Sequence, residues 1–116
     1  MNENLVKRGE IWLVRYKRDK SLGTEIYKTR PALIITADWQ NAKSKQVMII
    51  PLSRTTNPLY EWEIKVKINE QEGKIMTDQV HSFDKQKRLV RKLGVLPTEI
   101  MKKVEETLKE LLALNN

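Results

Sequence analysis

The stretch Tyr60-Glu61-Trp62-Glu63-Ile64-Lys65-Val66-Lys67-Ile68 alternates without a break. Tyr60, Trp62, Ile64, Val66 and Ile68 fall on one side, and Glu61, Glu63, Lys65 and Lys67 on the other. Successive side chains of an extended chain face opposite ways, so this pattern predicts a half-buried antiparallel strand over 60–68. Further strand signals lie on both sides of it. Downstream, Gly73 opens a strand running through His81, and Arg88 to Val95 forms another after a charged turn. Upstream, Pro31 to Ala37 and Gln46 to Leu52 are short apolar runs suited to strands covered on both faces. Between them, Asp38-Trp39-Gln40-Asn41 reads as a turn or a single helical turn. Glu10 to Tyr16, rich in β-branched and aromatic residues, reads as the first strand after Arg8-Gly9. The period changes only at the end. There Ile100, Val104, Leu108, Leu111 and Leu112 share a helical face, core or interface in character, with Pro97 near the first turn, where its missing N–H costs nothing. Five or six short strands and one terminal helix predict a mainly β (α+β) fold, a small twisted barrel capped by a helix.

The chain has 116 residues, enough for one domain over 1–116 with a real core, and 40% hydrophobic content favours folding over disorder. Lys and Arg number 22 against 15 Asp and Glu, giving a formal charge of +7. That excess favours an anionic partner, with nucleic acid first, an acidic protein segment second and a membrane surface third. Part of it is ordinary solvated surface. With no cysteine, disulfides, thiolate zinc sites and cysteine nucleophiles are excluded. His81 is the single histidine, so neither a paired-histidine nuclease nor a multi-histidine metal site fits within one chain. Apolar runs are too short for a membrane span, and no signal-like segment precedes Lys7 and Arg8, so the cytoplasm is the expected compartment.

Function is concentrated in Gly23-Thr24-Glu25-Ile26-Tyr27-Lys28-Thr29-Arg30-Pro31. This segment reads as a flexible loop with a carboxylate at Glu25. Proline disfavours helical backbone in the residue before it, which places Arg30 in an extended conformation at the mouth of the next strand. A surface arginine is more often an ion-pairing group, but a cation held beside a glycine loop suits a phosphate. Ser53 puts a hydroxyl at a strand end before the polar turn Arg54-Thr55-Thr56-Asn57. Asp78 and Gln79 fall inside the strand predicted through His81, and polar groups buried there need partners. His81 titrates near neutrality if it faces a site, although a lone histidine is more often a surface residue. Trp12, Trp39 and Trp62 could stack bases, with core packing the simpler role for Trp12 and Trp62.

In order along the chain, Arg8-Gly9-Glu10-Ile11-Trp12, Gly23-Thr24-Glu25 with Arg30-Pro31, Asp38 with Asn41, Pro51-Leu52-Ser53, and Asp78-Gln79-Val80-His81-Ser82 resemble the MazF/PemK toxins. The resemblance runs from about Lys7 to the terminal helix. It implies a homodimeric SH3-like barrel that cleaves single-stranded RNA without a metal or cofactor. It also implies inhibition by a cognate antitoxin that carries a DNA-binding domain and an acidic tail. Arg30 and Ser53 take the two central catalytic positions, with Glu25 as a contributor and candidate base. Thr24, Lys28, Thr29, Arg54, Asp78, Gln79 and His81 are candidate substrate contacts. Two positions depart from the commoner pattern: serine replaces threonine at 53, and histidine stands at 81 where lysine or arginine is more usual. Two other readings share the scaffold. One is a CcdB-like gyrase poison, which relies on a Trp-Gly-Ile-like tail that Leu111-Leu112-Ala113-Leu114-Asn115-Asn116 lacks. The other is an RNA-binding barrel without catalysis.

Overall fold

The computed structural model describes residues 6–19 and 26–114. Strands β1 (Glu10–Asp19) and β2 (Ile26–Ile34) precede a short helix, α1 (Asp38–Lys43). Strands β3 (Gln46–Ser53), β4 (Ile64–Ile68), β5 (Gln71–Ile75) and β6 (His81–Asp84) follow, then a four-residue helix, α2 (Lys85–Arg88), strand β7 (Leu89–Val95) and helix α3 (Thr98–Leu111). The strands are antiparallel in the order β4-β5-β3-β2-β1-β7, with β6 also on β3, and the sheet curls into a half-barrel.

β2 and β3 lie at the centre because both of their faces are apolar. Leu33, Ile50 and Leu52 join Ile11, Ile75, Leu96, Met101 and Val104 in one cluster. Ala32, Ile34, Val47 and Ile49 join Val6, Val14 and Phe83 in the other. Adjacent residues of one strand thus feed two cores, as a period of two requires. α3 covers the first cluster with Met101 and Val104, while Ile100 and Leu108 pack at its margin. Pro97 stands at the N-cap, and its carbonyl accepts the N–H groups of Ile100 and Met101. Leu111 and Leu112, at the end of the stripe read as core or interface, are exposed.

Three expectations are corrected. The strand expected over 60–68 begins only at Ile64, because its first half is a turn organised by a buried ion pair. Glu63, expected to face solvent, is buried and accepts from Lys74 Nζ at 2.8 Å, and Lys74 also donates to the Pro58 carbonyl at 2.6 Å. Glu63 further accepts the Tyr60 N–H, and Tyr60 stacks on Trp62 with centroids 5.1 Å apart. Local hydrogen bonding and ring stacking override the alternation here. Second, the strand expected from Gly73 through His81 is two strands, β5 and β6, which lie one after the other along β3. The connection over 76–80 is a turn tied by Met76 N–H to the Pro51 carbonyl (3.1 Å). Asp78 and Gln79 therefore sit on a turn. Third, Arg30 is not at a strand mouth. β2 starts at Ile26, so Arg30 lies in its interior opposite Val14.

Candidate functional site

The site arises where β2 and β3 part. β2 pairs with β1 along its whole length, from Asp19 opposite Ile26 to Ile11 opposite Leu33. With β3 it pairs only at Ala32, Leu33 and Ile34, the last pair being Ala32 and Pro51. Beyond that pair β3 continues on β5, with Leu52 opposite Ile75 and Ser53 opposite Lys74. Prolines flank the separation, Pro31 on β2 and Pro51 on β3. Neither has an N–H to extend a ladder, so the sequence itself ends the pairing here.

The parting leaves a cleft of about 560 Å³ whose lining includes Lys28, Thr29 and Arg30 from β2 and Ser53, Arg54 and Thr55 from β3 and its turn. Arg30 is on the same row of β2 as Ala32 and Ile34, one step past the core, where alternation delivers an exposed cation. Ser53 Oγ accepts the Thr55 N–H at 3.1 Å. One lone pair is thereby used, and the hydroxyl proton is free to point into the cleft. Gly73 holds this wall in place. A Cβ there would come within 2.7 Å of the Ser53 carbonyl oxygen, so only glycine lets β5 approach so closely.

Arg30 also lines a second, contiguous cavity of about 310 Å³ with Tyr16, Lys28, Pro51, Met76 and Gln79. Tyr16 is a residue that sequence reasoning missed. The register between β1 and β2 slips between Arg15 and Lys17, leaving Tyr16 as the extra residue of a bulge, and bulges re-aim side chains. Its ring lies under the Arg30 guanidinium at 6.0 Å and its hydroxyl is 2.7 Å from His81 Nε2. The Tyr16–His81 contact is edge-on, and both rings pack on Phe83. Arg88 covers Phe83 at 4.6 Å and donates to the Arg15 and Tyr16 carbonyls, which fixes the bulge. No single-sequence periodicity marks a bulge; the one usable signal was an aromatic residue among the charged residues Arg15, Lys17 and Arg18.

Of the residues singled out in the sequence, the structure brings Arg30, Ser53, Lys28, Thr29 and Arg54 to one cleft. It places Gln79 beside Arg30 in the adjoining cavity and connects His81 to Arg30 through Tyr16. Asp78 is exposed on its turn. Glu25 and Thr24 lie outside the described residues. The described residues lining the two cavities include cations and no carboxylate, so the surface favours a polyanion.

The model for the PemK-like, MazF-like toxins of type II toxin–antitoxin systems matches residues 7–112. The chain belongs to that family. No curated protein matches the sequence. Among solved structures, MazF from Deinococcus radiodurans aligns with a TM-score of 0.73 at 22% identity, over 93% of this chain and 96% of that one. A MazE–MazF structure from the same organism gives 0.79 at 18% identity, over 96% and 98%. A mycobacterial endoribonuclease bound to its cognate antitoxin gives 0.74 at 21% identity, over 100% and 99%. At these identities the alignments establish the toxin fold: a curled antiparallel sheet with a C-terminal helix.

Proposed function

We propose that this toxin is an endoribonuclease that cleaves single-stranded RNA by attack of a ribose 2′-OH on the adjacent phosphate. The products are a 2′,3′-cyclic phosphate and a 5′-OH. The observation that carries this reading is the meeting of Arg30 and Ser53 in one basic cleft. Arg30 presents a planar, permanently charged fork matched to phosphate oxygens. The Ser53 hydroxyl, anchored by the Thr55 N–H, donates to the same phosphate as charge builds on it. Lys28 and Arg54 hold neighbouring phosphates, with Thr29 and Gln79 as neutral contacts. Glu25 takes the 2′-OH proton, and Thr24 stands beside it in sequence. This set of roles needs no metal or cofactor. Cleavage should persist in EDTA and leave 2′,3′-cyclic ends when a long RNA is digested and its ends mapped. Loss of cleavage in EDTA, or 3′-hydroxyl ends, would overturn the scheme.

The solved relatives named with an antitoxin support a cognate antitoxin here as well. An acidic segment would lie in the same basic cleft and compete with RNA, more weakly as salt rises. The exposed apolar residues Leu111, Leu112 and Leu114 at the end of α3 support a homodimer of this single-domain chain, and its proposed place of action is the cytoplasm. Sedimentation near twice 13.7 kDa is the expected result.

A further inference from the structure

We infer that Tyr16, in the cavity that adjoins this cleft at Arg30, is a further catalytic residue, the group that protonates the departing 5′ oxygen, and that His81 acts through it. The inference rests on the nuclease reading above and assigns the one proton transfer that Arg30, Ser53 and Glu25 leave open. Arg30 and Ser53 neutralise charge on the phosphate, but the alkoxide released from phosphorus still needs a proton.

Three observations converge on Tyr16. The bulge at Arg15–Lys17 turns its side chain to the cavity that it shares with Arg30 and Gln79. The Arg30 guanidinium stands over its ring at 6.0 Å, so a phosphate held by Arg30 is brought within reach of the phenol. His81, by contrast, is absent from the residues lining that cavity, and its Nε2 is occupied by the Tyr16 hydroxyl at 2.7 Å. The contact that links the histidine to this cavity is therefore the tyrosine hydroxyl.

Hydrogen-bond inventory decides how the pair works. A neutral imidazole with Nε2 unprotonated accepts the Tyr16 O–H, which directs the phenol proton away from the cleft. A protonated imidazole can only donate, so Tyr16 Oη becomes the acceptor and its own proton turns to the cavity. In the reacting complex the bond from O2′ to phosphorus forms and the bond from phosphorus to O5′ breaks. The Tyr16 proton moves to O5′ as the imidazolium proton moves to Tyr16 Oη, leaving neutral tyrosine and neutral histidine. The 2′-OH proton leaves to the base.

Among the described residues, the charged groups around the pair are cations. They are Arg30 and Lys28 on β2 and Arg88 on α2 behind Phe83, with Arg15 next to the bulge donating to the Lys87 carbonyl. Asp84, on the same strand as His81, caps α2 at the Lys87 N–H. Since only the imidazolium turns the phenol proton toward the cavity, the rate should fall as pH rises.

The test compares wild type with Tyr16→Phe, which keeps the ring under Arg30 and removes only the hydroxyl. The substrates are a normal RNA and the same RNA with a bridging 5′-sulfur at the mapped cleavage site. Thiolate departs without a proton. Tyr16→Phe should cleave the normal RNA about a hundredfold or more slowly, a typical general-acid effect, and the sulfur-bridged RNA at the wild-type rate. The alkaline limb of the wild-type profile should vanish in both Tyr16→Phe and His81→Gln, and the double variant should be no slower than Tyr16→Phe. Equal slowing on both substrates would make Tyr16 a support for Arg30 and overturn the assignment. So would an unchanged rate on the normal RNA. Failure of the wild type to cleave any RNA would overturn the nuclease reading itself.

Discussion

Arg8 and Arg30 stand on opposite sides of the same central strands, and their surroundings differ completely. The Arg8 side chain donates to the Ile35 carbonyl at 3.0 Å and to Glu105 at 2.7 Å, and its backbone N–H binds Asp38 at 2.7 Å. One residue so joins the chain ahead of β1 to the end of β2, to α1 and to α3. Next to it, Gly9 links the Ile34 carbonyl to the Leu96 N–H, both at 2.8 Å, and closes that side of the sheet. Arg30 has, among the described residues, a tyrosine ring beneath it and an open cleft in front. The arginine bonded on all sides holds elements together; the one left open is available to a ligand. The difference comes from strand pairing. β2 is paired on both edges at Leu33 and on one edge at Arg30.

Substitutions on the two sides should therefore separate stability from activity. The largest effect on stability should come from the buried pair behind the Ser53 wall. Lys74→Met leaves the Glu63 carboxylate buried without its partner, and removing one member of such a pair costs about 3–5 kcal/mol. Urea unfolding should show the loss, and Lys74→Met combined with Glu63→Leu should recover much of it. A small loss in the single variant would mean the pair is solvated. Next, Arg8→Ala should destabilise by about 1 kcal/mol, since its ion pair with Glu105 is partly exposed. Cleavage per folded molecule should not change. If activity fell while the fold held, the division between the two arginines would be wrong. The smallest effect should belong to Ser53→Thr, which keeps the hydroxyl at the same strand end and should stay within a few-fold of wild type, whereas Ser53→Ala should not.

Much of the architecture could be read from the sequence because apolar runs and helical spacing are local signals. The two-face run at Gln46–Leu52 became β3 and the terminal stripe became α3, while the run at Pro31–Ala37 supplied only the last four residues of β2, whose first half reads as loop. What stayed hidden was non-local. Glu63 reads as a solvent-facing residue until Lys74, eleven residues on, is placed against it. Asp78 and Gln79 read as strand residues because nothing in their own neighbourhood shows that β3 exchanges one partner strand for the next. At the site, Arg30 and Ser53 were recognisable from their prolines and their family pattern. Tyr16 was not, because its position depends on a one-residue slip between strands distant in sequence.

The most direct test of the cleft is the cleavage rate of Arg30→Ala on a single-stranded RNA, measured beside its unfolding midpoint. Loss of one transition-state donor costs on the order of 10²–10³ in rate. The variant should lose that much while unfolding at the wild-type denaturant concentration, because Arg30 is exposed beyond the core. A folded Arg30→Ala protein that cleaves at the wild-type rate would contradict the account and move the active site away from the parting of β2 and β3.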